Sequence, residues 1–485
     1  MLNIFANITI AWIAASFFVG FVIYLLPKLD RWLTLTVAVL STVYAIALFG
    51  LNSTFEIQLL DNFGVSLAID RLSAWFILTN ALVTIAVIVY CWQTAKTTFF
   101  YMQLIILHGS VNATFICADF ISLYVALEVI SIAAFLLITY PRSDRSIWVG
   151  LRYLFISNTV MLFYLIGAVL VYQGSLSFNY SGLANAPIEA IALILLGLLA
   201  KSGIFVSGFW LPLTHSESES VVSAMLSGVV VKAGVFPLLR IALIWDALDP
   251  VIRVFGVGTA LLGVAFAVLE KDTKRMLAFH TISQLGFILA APVVGGFYAL
   301  THGLVKSALF LTAGILPSRN FKELQKQQLD RKVWLALLVA SFSISGFPLL
   351  AGFGAKVLTT KNLLPWQVVA MNVAALGTAI SFAKFIFLPH KTSTNSNTKI
   401  KPGFWWAIAI LLGGLIAANV VYYEAYTIEN ILKPLATIVI GWGIYLLVIK
   451  KLTIKLPRTI EQFDHLIGVM SLTLILLFWT VWTRV

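Results

Sequence analysis

Charge is what this 485-residue chain has least of: Asp, Glu, Lys and Arg make up 11% of it, against 60% hydrophobic residues. A soluble domain carries about 25% charged residues, so a chain this long lacks the surface-forming material to fold in water alone. With a mean hydropathy of +0.98, it must use the bilayer as much of its solvent. Cysteine is nearly absent. Its two examples, Cys91 and Cys117, lie in or beside apolar segments and offer neither a disulfide framework nor metal-ligand spacing. They read as small buried hydrophobes. Acidic residues are outnumbered 20 to 32, giving a net charge of +12. That excess would suit nucleic acid if it were clustered, but the lysines and arginines sit in short loops between apolar runs, where they set membrane orientation. Residues 1–6 carry no basic side chain and the run 6–26 is long enough to span. The N-terminus therefore reads as a first transmembrane helix rather than a cleavable signal.

A spanning helix needs about 20 mostly apolar residues. Sixteen stretches meet that template: 6–26, 32–50, 72–92, 99–117, 119–140, 149–173, 188–209, 220–244, 251–269, 276–294, 297–316, 333–359, 364–388, 403–422, 433–450 and 465–483. The last two are short and rich in aromatics, so the expected total is about 14–16. Trp75, Tyr140, Trp210, Trp366 and Tyr422 fall near predicted ends, as in an interfacial aromatic belt. Loops after odd-numbered stretches collect twenty lysines and arginines, including Lys399 and Lys455; loops after even-numbered ones hold four. This bias makes the odd side cytoplasmic and puts both termini on the opposite face. The polar segments 317–332 and 390–402 read as connectors, the second a flexible cytoplasmic loop.

Ionisable residues inside spans are costly, at least about 2.5–3.5 kcal/mol each, and usually mark ion pathways. Glu128, Lys201 and Lys232 lie deep in their stretches, and Glu128 is the one carboxylate in the middle of a span. His302 and Lys306 are four residues apart and share a helix face. Lys356 follows a Gly/Pro-broken run, Ser345-Gly346-Phe347-Pro348. Lys384 and Arg152 lie near helix ends, where long side chains snorkel, and His108 and His280 read as core histidines. A desolvated lysine loses its preference for the charged form. It can then exchange a proton when a neighbouring group changes state, so lysines with one carboxylate suit protons. A sodium or potassium site would want clustered carboxylates and carbonyls. Ser207-Gly208-Phe209 with Pro212 echoes Ser345-Gly346-Phe347-Pro348 five helices on. An odd shift reverses membrane direction, as expected of inverted repeats with broken helices.

These residues resemble the antiporter-like proton-translocating subunits shared by Mrp-type cation/proton antiporters and respiratory complex I. Four stretches carry the likeness: Asp119–Ile138; Phe209-Trp210-Leu211-Pro212-Leu213-Thr214-His215 running to Val222–Gly228 and Lys232; Asp272–Gly286; and His302–Phe310 with Gly346–Lys356. The resemblance spans roughly 65–390. It implies a charge pair Glu128–Lys201, a central relay of Lys232, His302 and Lys306, and a terminal Lys356. It also implies an all-α polytopic fold with two inverted five-helix repeats, 96–245 and 246–390, between N-terminal helices 1–95 and C-terminal helices 391–485. Arg152 stands where many relatives have lysine. Ser216-Glu217-Ser218-Glu219-Ser220 replaces the usual acidic-Ala-Pro stretch, and about two extra apolar segments follow residue 430.

Three functions compete. The first is the D-type proton-translocating subunit of an Mrp-like monovalent cation/proton antiporter, favoured by lysine at 356 and by Phe279-His280-Thr281-Ile282-Ser283-Gln284. The second is a proton-pumping subunit of a complex I-like NADH or ferredoxin:quinone oxidoreductase or of a membrane-bound hydrogenase. The third is a non-conducting structural subunit. No cysteine cluster for iron–sulfur centres and no glycine-rich dinucleotide loop is present, so no cofactor or metal is expected here and any redox chemistry would belong to partners. Expected partners are other membrane subunits, the lipid bilayer, protons and sodium or potassium, with no nucleic acid. The expected location is a prokaryotic plasma membrane or an energy-coupling internal membrane such as the thylakoid.

Overall fold

The computed structural model describes residues 2–50, 53–60, 63–391, 400–452, 454 and 456–483. Lys399, Lys455 and positions 392–399 of the predicted connector lie outside them. The chain is 80% helical. A long apolar run can satisfy its backbone without water or partner strands only as a helix.

The helices are α1 (Leu2–Leu25), α2 (Asp30–Leu48), α3 (Arg71–Cys91), α4 (Thr98–Thr114), α5 (Phe120–Ile138), α6 (Asp144–Ser175) and α7 (Ile188–Ser202). After a 3-10 stretch, Phe205–Trp210, come α8 (Leu211–Glu217), α9 (Ser220–Met225), a π turn (Leu226–Val230), α10 (Val231–Ile244) and α11 (Asp249–Leu269). Then follow α12 (Thr273–Ala290), α13 (Gly295–Ala313), α14 (Phe321–Leu324), α15 (Arg331–Ser345), α16 (Ala351–Lys361) and α17 (Val368–Ile386). The chain closes with α18 (Pro402–Val420), α19 (Ile428–Leu447) and α20 (Phe463–Trp482).

All sixteen predicted stretches coincide with helical segments. Thirteen are long and apolar enough to cross a membrane by themselves. The other three are the 17-residue α4, the polar α12, and the pair α15–α16, which is broken in the middle. Starts are marked by capping acids and serines: Asp70, Asp119 and Asp272 each accept a backbone N–H three residues on, and Ser143 forms a capping box with Ser146.

The all-α expectation needs two additions. A hairpin, β1 (Phe55–Leu60) with β2 (Gly64–Ile69), links α2 to α3 and is pinned by Asp119, which accepts the Ser66 N–H at 2.8 Å. The connector 317–332 contains α14 and a two-residue strand, Leu329–Asp330, paired in parallel with His390–Lys391.

Burial sorts the helices. Every residue of α12 and α13 is buried, as is the most apolar window of Ser220–Ile244, whereas α1, α19 and α20 leave most of their surface outward. The buried lysines and histidines thus lie on the inner helices, away from the outward-facing ones. The two extra C-terminal segments are both helices. α19 packs on α17, and α20 returns to pack on α7 and the 3-10 stretch after it. Between them, the Glu461 carboxylate accepts from the Arg275 guanidinium, and its backbone carbonyl accepts from Arg152. Arg275 is also paired with Glu270 at 3.1 Å.

Candidate functional site

Two of the spans are interrupted in the same way. α7 stops at Ser202, where Gly203 (φ +74°) turns left-handed, Ile204 N–H bonds back to Leu199 and Gly203 N–H to Ala200. α15 stops at Ser345, where Gly346 (φ +86°) does the same, with Phe347 N–H to Phe342 and Gly346 N–H to Ser343. These are Schellman endings, and both need glycine. A Cβ at Gly203 would lie 2.0 Å from Leu211 Cδ1, and one at Gly346 2.8 Å from Lys356 Cδ. The matching serine-glycine pairs are therefore 202–203 and 345–346. The Ser207-Gly208-Phe209 of the sequence echo lies instead in the 3-10 stretch.

Each buried lysine is held by oxygens that are not carboxylates. Lys201, at the end of α7, donates to the Leu127 carbonyl at 3.0 Å, to Ser157 Oγ at 2.5 Å and to Ser131 Oγ. Glu128 is half-buried one residue from Leu127, its Oε1 has no hydrogen-bond partner, and no ion pair within 4.0 Å joins it to Lys201 among the described residues. The two groups remain within electrostatic reach. The direct contacts of Lys201 are thus two serine hydroxyls and a carbonyl, with Glu128 acting on it at longer range.

Lys232 follows the π turn and donates to the Gly228 carbonyl at 2.7 Å and the Ser227 carbonyl at 3.1 Å. A π turn shifts the backbone pairing by one residue, and the ammonium binds at the carbonyls this displaces. Gly303 of α13 lets that turn approach: a Cβ there would sit 2.9 Å from the Gly228 oxygen and 2.4 Å from Thr79 Cγ2. On the same helix, Lys306 donates to the Leu277 carbonyl at 2.7 Å. Lys356, on α16, donates to the Ser345 carbonyl at 3.2 Å, the orphaned acceptor at the α15 end. Lys384, the expected anchor, is also buried and caps α11 through the carbonyls of Ala267 and Glu270 (3.0 and 2.7 Å).

His302 lies within electrostatic reach of Lys232, Lys306 and His280, and His280 within reach of Lys306, Lys356 and Lys384. The structure thus brings Lys232, His302 and Lys306 together. It adds His280, which reads from sequence as a core histidine, as the neighbour common to Lys306 and Lys356. The signal lies in α12, a span with Thr281, Ser283 and Gln284 beside His280. Both ring nitrogens of His280 and His302 lack partners, as do the hydroxyls of Ser341, Ser343, Ser345 and Thr359 along α15 and α16. Buried polar atoms without protein partners need water. A 10 Å³ cavity bounded by Gln284, His302 and Ser343 is about the size of one. Lys356 in turn lines a 300 Å³ cavity opening past Thr360 and Lys433. Glu128 and Lys201 form a separate group on α5 and α7. Among the described residues no cluster of three or more His, Cys, Asp or Glu could hold a metal.

The family model described as "NADH:quinone oxidoreductase/Mrp antiporter, TM" matches residues 117–381, a stretch that holds every lysine and histidine of this row. The chain belongs to that family. The D-type subunit of the Na(+)/H(+) antiporter from Alkalihalophilus pseudofirmus is 25% identical over 418 residues, covering 77% of this chain and 84% of that one. The NADH-quinone oxidoreductase subunit N of Desulforudis audaxviator is 30% identical over 364 residues, covering 67% of this chain and 72% of that one. A chain in the structure of the Mrp complex from Dietzia sp. DQ12-45-1b superposes with a TM-score of 0.74 at 21% identity, covering 95% of this chain and 100% of that chain. As a family member the chain is an integral-membrane, antiporter-like subunit.

Proposed function

We propose that this chain translocates protons as a membrane subunit of a multisubunit Mrp-type monovalent cation/proton antiporter. The observation that carries the proposal is the row Lys232–His302–Lys306–His280–Lys356, in which Lys232 binds at a π bulge and Lys356 at a helix break. An ammonium held by carbonyl dipoles has no carboxylate to leave unpaired when it gives up its proton. Glu128 biases Lys201 across the two serine hydroxyls. Lys232, His302 and Lys306 form the central relay, and Lys356 faces the cavity that leads out. The matched Schellman endings support reading 96–245 and 246–390 as inverted repeats, flanked by helices in 1–95 and 391–485. Other membrane subunits complete the machine, in a prokaryotic plasma membrane or thylakoid-like membrane. The charge bias of the loops places both termini away from the cytoplasm.

One observation favours a second reading, a redox-driven complex I-like assembly: the 30% identity to the NADH-quinone oxidoreductase relative. Two measurements separate the readings. Subunits co-purifying with the chain, identified by mass spectrometry, should be small membrane subunits for the antiporter and iron–sulfur or flavin proteins for the redox machine. In inverted vesicles, Glu128→Ala and Lys201→Ala should each abolish gradient-driven cation/proton exchange while the complex still assembles. Unchanged exchange in both variants would sink the proton path.

A further inference from the structure

Where α11, α17 and α19 end, they surround a cavity of 430 Å³ whose walls have two characters. One is basic: Lys271, Lys322, Lys326, Lys384 and Lys450 line it, against the single carboxylate of Glu270. That carboxylate is already engaged, by Arg275 at 3.1 Å and by the backbone N–H groups of Lys271 and Asp272 at 2.8 and 3.1 Å. Lys384 is likewise committed to the α11 end. Among the described residues, no hydrogen bond or ion pair engages the ammonium groups of Lys322, Lys326 or Lys450. Three strongly hydrated cations therefore face one concavity with no counter-charge of their own. Like charges around one concavity repel, and an anion among them would offset that repulsion.

The other wall is apolar. Ile449, Leu452 and Ile454 form its lip, and Leu452 and Ile454 are 37% and 49% exposed. A soluble anion gains nothing from such a lip. The cavity lies at the ends of spanning helices, which is the depth of lipid headgroups, where basic pockets between helices recognise anionic lipids.

We propose that this cavity binds the phosphate headgroup of an anionic phospholipid, with Lys322, Lys326 and Lys450 as donors and the acyl chains lying along Ile449, Leu452 and Ile454. The site is independent of the proton row and of which complex the chain serves.

The test uses the purified complex in detergent, titrated with fluorescent phosphatidylglycerol and, separately, phosphatidylcholine, with inorganic phosphate as competitor. Phosphatidylglycerol should bind at least tenfold more tightly, and millimolar phosphate should not displace it. A lysine near the surface contributes about fivefold in affinity. Lys322→Gln with Lys326→Gln should therefore weaken phosphatidylglycerol binding by about 25-fold and leave phosphatidylcholine unchanged. Lys450→Gln alone, at an exposed position, should cost about fivefold and keeps the test alive if the double variant does not assemble. Equal binding of the two lipids, or affinity unmoved by both variants, overturns the proposal. Displacement by free phosphate at equal concentration overturns the lipid assignment in favour of a soluble anion.

Discussion

The histidine of α4 and the histidines of α12 and α13 are all buried, yet their surroundings differ in kind. His108 accepts or donates at both ring nitrogens: Nε2 meets Ser41 Oγ at 2.9 Å and Asn112 at 3.0 Å, and Nδ1 meets Thr84 Oγ1 at 3.1 Å. Asn80 extends the network to Asn112 and the His108 carbonyl, and Trp12 reaches it through Ser41. His280 and His302 have no such partners. The first region uses its polar atoms to lock α1–α4 into one arrangement, because a satisfied buried network is rigid. The second leaves polar atoms open in a row between lysines. Burial alone does not mark a functional group; unmet hydrogen-bonding capacity beside charge does.

The contrast can be broken experimentally. The largest effect is expected at Lys306: Lys306→Ala should lower ion exchange in vesicles by on the order of a hundredfold or more, the range for losing a proton-transfer group. His302→Gln, which keeps most of the ring's volume, should lower it too, with the unfolding free energy moved by less than about 1.5 kcal/mol, since no protein hydrogen bond is lost. A His302 variant that transports normally but unfolds early would erase the distinction. Glu461→Ala should do the opposite, costing about 1.5–3 kcal/mol of stability, because Arg275 loses one charged partner beside the α20 start and keeps Glu270. Thermal unfolding of the purified protein reads it. His108→Ala should cost about 3 kcal/mol, from three broken hydrogen bonds, and leave exchange per assembled complex intact. Exchange lost at full assembly would move His108 into the transport row.

The smallest effect is a pH dependence. Burial works to raise the Glu270 pKa, but Arg275 and the two backbone N–H groups outweigh it and hold the carboxyl below its usual value. A depressed carboxyl stabilises the fold fully above its unfolded pKa of about 4.3 and loses that contribution as pH falls through the lowered value. Glu270→Gln should therefore cost about 1.5–3 kcal/mol near neutrality, with the gap from the unmodified protein closing in acid. A gap constant with pH would show that the ion pair is not its source.

Much of this is legible in the chain itself. Long apolar runs force helices in lipid, so the spans follow from composition, and the depth of Lys201, Lys232 and Lys306 within them follows from counting. What each lysine binds is not legible. The Ser131 and Ser157 hydroxyls beside Lys201 come from two other helices, 70 and 44 residues away. The π turn before Lys232 has no residue that announces it, since any apolar run can carry the bulge. A lone histidine in a span has no sequence neighbour to define it, and those of His280 come from α13, α16 and α17. The hairpin β1–β2 escapes a reading by hydropathy because its short polar-apolar mixture lies between two strong apolar runs. Glu461 is invisible as a partner because it meets Arg275 across 186 residues.

The return of α20 to α7 also bears on how such a chain stands among neighbours. Helix α20 packs against α7, the first of the broken helices, and against the 3-10 stretch after it. An adjoining subunit approaching from that direction meets Phe463–Trp482, not the helix that carries Lys201. Any contact made on that side therefore reaches the Lys201 helix only through α20.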